Sequence, residues 1–173
     1  MKAEELRALQ EPLKGRYREE PESAVVTLRA DGELDAEAVS CSVAAGRALT
    51  EAGLHPASGG DGTLACSGDM LLQALVACAG VTLRSVAVNR GLEVMGRVVA
   101  EGDLDFRGTM GVDRDATVGF REIRLRFELE TAATPDEIDA LLATTERYCV
   151  VYQTLANAVP IALTRAVSTA KPQ

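Results

Sequence analysis

At 173 residues and 47% hydrophobic, the chain carries enough apolar side chains for one sizeable core, and no Ser/Gly/Pro linker or charge block divides it. Residues 1–173 therefore read as a single domain, with 1–22 as a peripheral lead-in. The 18 basic and 26 acidic residues leave a net charge of −8, which repels phosphate backbones, and no basic stripe with interleaved aromatics overrides it, so nucleic acid is excluded as a partner. The N-terminus, MKAEELRALQEPLK, has neither an apolar leader nor an Arg/Ser-rich transit composition, so the expected location is the cytosol with its cysteines reduced.

In chain order, residues 2–20 carry Leu6 and Leu9 among charges and read as a short helix ended by Pro12. Ala24 to Ala30 and Ala38 to Ala44 read as two strands joined across Asp31-Gly32, a dipeptide that tolerates the positive φ of a hairpin turn. Alternation of Val39, Cys41 and Val43 makes Cys41 a core residue of the second strand. Gly46 to Leu54 continues the meander, and HPASGGDGT is a loop by composition. His55, the single histidine, sits in that loop beside Pro56. A His-dependent hydrolase would rest on it alone, and it reads as a residue without chemistry.

Ser67 to Arg90, SGDMLLQALVACAGVTLRSVAVNR, reads as one long buried helix of about 33 Å, with Ser67 as N-cap, Asp69 in the first turn and Gly91 as a left-handed stop. Leu71, Leu75 and Cys78 line one face and Leu72, Val76, Ala79, Leu83 and Val86 another, so the helix belongs in a core or an interface. Asp69, Gln73 and Arg84 interrupt it and argue against a membrane span. Strands are expected at Leu92 to Ala100, within Asp103 to Ala116, and at Phe120 to Glu130, where apolar and charged residues alternate with a period of two. Thr134-Pro135-Asp136-Glu137 is a capping box that starts a helix burying Ile138, Leu141, Leu142 and Thr145 and ending near Tyr148. Val150 to Ala158 reads as a further helix, and Ile161 to Val167 as an edge strand. The whole is an α+β arrangement with antiparallel strands around a long buried central helix.

Cys41, Cys66, Cys78 and Cys149 are too widely spaced for a CxxC zinc or redox motif, so no metal or other cofactor is expected. Cys78 and Cys149 both lie in helix-associated, apolar surroundings, and here the sequence resembles the OsmC/Ohr family of thiol-dependent hydroperoxide reductases. The resemblance rests on Ser67-x-Asp69-x-Leu71-Leu72-x-Ala74-Leu75-x-Ala77-Cys78, on Gly119-Phe120-x-x-Ile123, and on Cys149-x-Val151-x-x-x-Leu155-x-x-x-Val159-Pro160-Ile161. Val150 stands where the family commonly has proline and Asp69 where it usually has glutamate, which marks a divergent member.

The resemblance implies an intertwined homodimer with active sites at the subunit interface, Cys78 as the peroxidatic thiol and Cys149 as the resolving one, an organic hydroperoxide as substrate and a cellular dithiol as reductant. A thiolate attacks the O–O bond, the sulfenic acid condenses with the second thiol, and the disulfide is then reduced. An ordinary cysteine is only about 3% ionised at pH 7, so the thiolate needs stabilising. The family uses an arginine held by an acid near the helix start, for which Arg29 and Asp69 are the matching candidates and Arg47 the next arginine. Nine residues at about 100° each set Asp69 half a turn round from Cys78, so Arg29 would have to bridge, or the partner subunit contribute. Cys66 is an alternative partner thiol. Two other readings of the same fold stay open: a non-catalytic dimer binding an apolar small molecule at its interface, and a purely structural stress-response dimer.

Overall fold

The computed structural model describes residues 2–25, 27, 31–34, 40–45 and 48–166. The first helix, α1 (Ala3–Glu19), runs straight through Pro12 instead of stopping there. Proline removes one helical hydrogen bond, but the ends on either side are held: the Lys2 amide donates to Glu5 Oε2 at 2.9 Å, Arg18 pairs with Glu11 across the proline at 3.2 Å, and Arg7 donates to the carbonyl of Asn89 at 2.8 Å. A 3₁₀ turn follows at Pro21–Ala24, where the first expected strand was to begin.

Strands β1 (Asp31–Leu34), β2 (Ser40–Ala45) and β3 (Ala48–Gly53) form an antiparallel meander, and the short β4 (Ala65–Cys66) adds parallel to β3. Asp31 pairs with Ala44 and Leu34 with Cys41, so Asp31-Gly32 lies within a strand and is not the hairpin turn. Cys41 also pairs with Ala52. The rest of the first expected strand, at residues 26 and 28–30, lies outside the described residues, as does Val39.

Helix α2 (Ser67–Arg90) has the predicted span and the predicted stop, with Gly91 at φ 71° and the Leu92 amide donating to the carbonyl of Ala87 at 2.9 Å. Its N-cap position is occupied by Cys66, one residue earlier than expected, because Cys66 still pairs with Gly53 as the last residue of β4. Within the chain α2 is not buried all round. Leu75, Ala79, Leu83 and Ala87 form one covered stripe at intervals of four, whereas Val81 is 72% exposed. By length and composition alone α2 would serve to cross a membrane, despite its charges; its covered stripe is packed on protein.

β5 (Val94–Leu104) and β6 (Phe120–Thr131) form a separate antiparallel pair. The register places Val98 opposite Phe127 and Ala100 opposite Leu125 on the face toward α2. Arg97 and Glu128, and Glu101 and Arg124, are paired on the wet face, which delivers the predicted period of two. Gly96, at φ 128°, sits where an added side chain would meet the carbonyl of Glu128, so the strands approach closely only because it is glycine. Between them is a one-turn helix, α3 (Phe106–Thr109), not the expected strand. Asp105 caps it, accepting from the Arg107 amide at 3.1 Å and pairing with the Arg107 guanidinium at 2.6 Å.

The predicted capping box is present at the start of α4 (Pro135–Tyr148): Glu137 accepts from the Thr134 amide at 2.8 Å, and Thr134 Oγ1 accepts from the Glu137 amide. α5 (Val150–Ala156) follows directly. Ile161 to Ala166 form no strand, and Ile161 and Leu163 are more than 90% exposed; Val167 lies outside the described residues. The core sits where α2, β5, β6 and α4 meet, around Leu83, Ala87, Val94 and Leu141, with Phe127, Leu129 and Leu142 packed against it.

Leu141 is fully buried, so Leu141→Ala is expected to cost about 3 kcal/mol through lost transfer energy and the cavity left behind, read as a lower denaturant midpoint. Val112→Ala, at a position 78% exposed, should change it by less than about 0.5 kcal/mol.

Candidate functional site

The site is made by a break between two helices. Cys149, with φ −75° and ψ 106°, is at once the C-cap of α4 and the N-cap of α5. Its amide donates to the carbonyl of Thr145 at 2.9 Å and its carbonyl accepts from the Gln153 amide at 2.9 Å. Both helices thus remain hydrogen-bonded through the residue that separates them. Two further bonds span the break: Gln153 Nε2 donates to the Glu146 carbonyl at 3.0 Å, and the Tyr152 hydroxyl to Glu146 Oε1 at 3.1 Å. The Cys149 side chain is buried, 1% exposed.

Cys78 projects from the middle of α2 and is half-buried. Burial pushes its thiol up, but hydrogen bonds from the backbone amide of Val151, from the Cys149 thiol, from the amide of Val150 and from the Thr82 hydroxyl outweigh it, so the thiol ionises more readily than an ordinary cysteine. Cys149 is shifted the other way, first by burial and then by its contact with Cys78, against the opposing amides of Tyr152 and Val151. Of the two sulfurs, Cys78 therefore gives up its proton the more readily. The two amides acting on Cys78 are available because the first N–H groups of any helix lack an intrahelical acceptor, and α5 begins there.

The structure brings Cys78 and Cys149 together across a long stretch of chain; it does not bring Asp69 to them. Asp69 lies exposed in the first turn of α2, about 13 Å along the helix axis from Cys78 at 1.5 Å per residue. Arg29 and Arg47 lie outside the described residues. Among the described residues, the groups acting on Cys78 are amides, a hydroxyl and a thiol. Sequence reasoning missed these donors. Backbone amides leave no mark on composition, and Thr82 could have been found only from its place one turn beyond Cys78, on the same face.

Cys66 is at the other end of α2, half-buried beside a cleft of ≈ 400 Å³ lined by Leu71, Phe106 and Phe120, and does not approach the pair. His55 accepts from the Ala57 amide at 3.0 Å through Nδ1 and stacks on Phe106 at 5.0 Å, which makes it part of the loop's own structure. No group of three His, Cys, Asp or Glu side chains among the described residues could hold a metal. A groove of ≈ 460 Å³ lined by Leu75, Phe120, Ile123, Leu125, Tyr152 and Leu155 lies between α2, β6 and α5. Arg121 and Glu122 also line it; Leu75 is one turn before Cys78 and Tyr152 one turn after Cys149, so the helices that carry the two cysteines both contribute to this groove.

The opposite shifts set an order of reactivity. As pH rises, the Cys78 thiolate is populated first, below the ordinary cysteine range, and Cys149 ionises only above it. Iodoacetamide followed by peptide mapping should mark Cys78 at lower pH than Cys149; equal labelling, or the reverse order, would contradict the arrangement.

A model of the OsmC-like protein family matches residues 60–164. Three solved structures are similar in fold. An OsmC-like protein from Mycoplasma pneumoniae is 18% identical with a TM-score of 0.65 over 77% of this chain and 89% of its own. An organic hydroperoxide resistance protein OsmC from Legionella pneumophila, described as a predicted redox protein, is 17% identical with a TM-score of 0.55 over 76% and 90%. An OsmC-like protein of unknown function from Vibrio cholerae is 8% identical with a TM-score of 0.55 over 75% and 94%. A search of curated proteins finds no match. The family match spans more than half of the sequence and includes both cysteines of the helix break: this chain belongs to the OsmC-like protein family.

Proposed function

We propose that the protein is a two-cysteine hydroperoxide reductase acting on organic hydroperoxides in defence against oxidative stress. The observation that carries the reading is the contact of Cys78 with Cys149, in which the first thiol is easier to ionise than usual and the second harder. In the first step the Cys78 thiolate attacks the terminal oxygen of ROOH. An S–O bond forms, the O–O bond breaks, and the alkoxide leaves as the alcohol after taking up a proton. The resulting sulfenic acid condenses with the Cys149 thiol, forming the disulfide and releasing water. A cellular dithiol then supplies two electrons and two protons to restore both thiols, which fits a reducing, cytoplasmic setting. The groove between α2, β6 and α5 would hold the organic substituent. The Legionella neighbour's description as an organic hydroperoxide resistance protein supports the same direction.

The working unit in this reading is an intertwined homodimer. Val81 and Met95, both more than 70% exposed, face a largely apolar groove of ≈ 500 Å³ between α2 and β5. A second copy covering that face would complete the half of α2 left bare. The same apolar grooves support the alternative, a dimer that holds an apolar small molecule without turnover.

Titration with tert-butyl hydroperoxide, followed by thiol counting and non-reducing peptide mapping, separates the two. The expected result is a Cys78–Cys149 disulfide peptide. Cys78→Ser should abolish consumption, while Cys149→Ser should stop at a trappable sulfenic acid after one equivalent. Intact thiols after the titration would leave only the binding reading.

A further inference from the structure

Gln153 stands in the first turn of α5, and its side chain does at the break what a backbone amide does in a helix. In an unbroken helix the Glu146 carbonyl would accept from the amide of Val150, four residues on. Among the described residues it receives no backbone donor; it accepts from Gln153 Nε2 at 3.0 Å instead. The bonds on either side keep the four-residue spacing, from the Cys149 amide to the Thr145 carbonyl and from the Gln153 amide to the Cys149 carbonyl, both at 2.9 Å. The chain therefore leaves the helical pattern at one residue, Cys149, whose ψ of 106° turns the next amide away from α4. The Gln153 amide is itself oriented. Asn157, the C-cap of α5, donates from Nδ2 to Gln153 Oε1 at 3.2 Å and to the Gln153 carbonyl at 2.8 Å. With Oε1 turned to Asn157, the NH₂ group faces Glu146. The Tyr152 hydroxyl holds Glu146 by its carboxylate as well, donating to Oε1 at 3.1 Å.

From this exchange of a main-chain donor for a side-chain one we infer that Gln153 is a positioning residue for the resolving thiol. Its amide, oriented by Asn157, occupies the Glu146 carbonyl, so the Val150 amide does not return there and Cys149 is held at an open break against α2. The assignment rests on the reading of Cys149 as the resolving thiol and deepens it. Without the Gln153 donor, the Glu146 carbonyl regains a partner by taking the Val150 amide back, which continues α4 into α5 and rotates Cys149 away from Cys78. Disulfide closure depends on how closely the two sulfurs are held, since the bond tolerates only a narrow range of separations and angles. The same side-chain bond leaves the Val150 amide free to act on Cys78.

The test is the thiol–disulfide equilibrium of the full-length protein in glutathione buffers of stepped ratio, with the Cys78–Cys149 disulfide counted by non-reducing peptide mapping. Oxidised glutathione takes two electrons and two protons from the pair, so the equilibrium constant reads how closely the break holds the sulfurs. Gln153→Met keeps the length of the side chain and removes the donor; it should weaken that constant about fivefold, the scale of one hydrogen bond. Asn157→Ala, at the exposed end of α5, should weaken it in the same direction by less. The double variant should go no further than Gln153→Met, because both changes act through one amide. A wild-type constant in Gln153→Met would overturn the assignment, whether or not its denaturant midpoint falls. Additive losses in the double variant would overturn the orienting role of Asn157. No peroxide enters the readout, so a weakened constant in a protein that never consumes tert-butyl hydroperoxide would sink the reductase reading and leave the Gln153–Glu146 bond in its place.

Discussion

The structure depends on one contact, the seating of the α4–α5 break against the middle of α2. A continuous helix through residue 149 would present no free amides to its neighbour. A break does: the chain must start a new helix, and the first N–H groups of that helix have nowhere else to donate. Cys149, fully buried at the break, and Cys78, half-buried opposite it, are placed by the same event. The core beneath, with Leu141 of α4 packed on Leu83 and Ala87 of α2 and on Val94 of β5, fixes how close the break comes. The small side chains of Ala79 and Ala87, both at zero exposure, let the helices approach.

Two opposing effects then decide which sulfur reacts. Removing a thiolate from water disfavours it, and this is the largest influence on both cysteines. Hydrogen bonds to a charged acceptor contribute about 1.5–3 kcal/mol each, and Cys78 collects several while keeping partial access to solvent. Cys149 is more deeply buried and faces a neighbouring sulfur that ionises more readily, so it is the harder of the two to deprotonate. The division of labour between two chemically identical side chains comes from their surroundings alone.

Much of this was legible in the sequence. The caps of α2 announced its span because Gly91 is where a left-handed residue is required, and the alternation through Ile123, Leu125, Phe127 and Leu129 announced β6. The Thr134 box gave the start of α4, and the family pattern singled out the two cysteines that meet. What was not legible has physical reasons. Pro12 reads as a stop because the local rule sees the lost bond and not the Arg7 and Glu11 contacts that hold the flanking turns. Asp31-Gly32 reads as a turn by propensity, yet strand pairing places it opposite Ala44 and Val43. The one-turn helix at Phe106 follows from Asp105 capping, a contact between neighbours that hydropathy does not register. Among the described residues the groups acting on Cys78 are backbone amides, a threonine and the other cysteine, and backbone amides leave no mark on composition. The circumference of α2 is apolar but only one stripe is covered by its own chain.

In the proposed reading, the chemistry of the paired thiols sits beside a subunit interface on the uncovered side of α2. The most direct measurement is a crystal structure of the protein after one equivalent of an organic hydroperoxide. The account predicts a covalent bond of about 2.05 Å between the sulfurs of Cys78 and Cys149, with the Val150 and Val151 amides still facing the α2 sulfur. Cys78 carried on to a sulfinic acid, with Cys149 a distant, unreacted thiol, would contradict it.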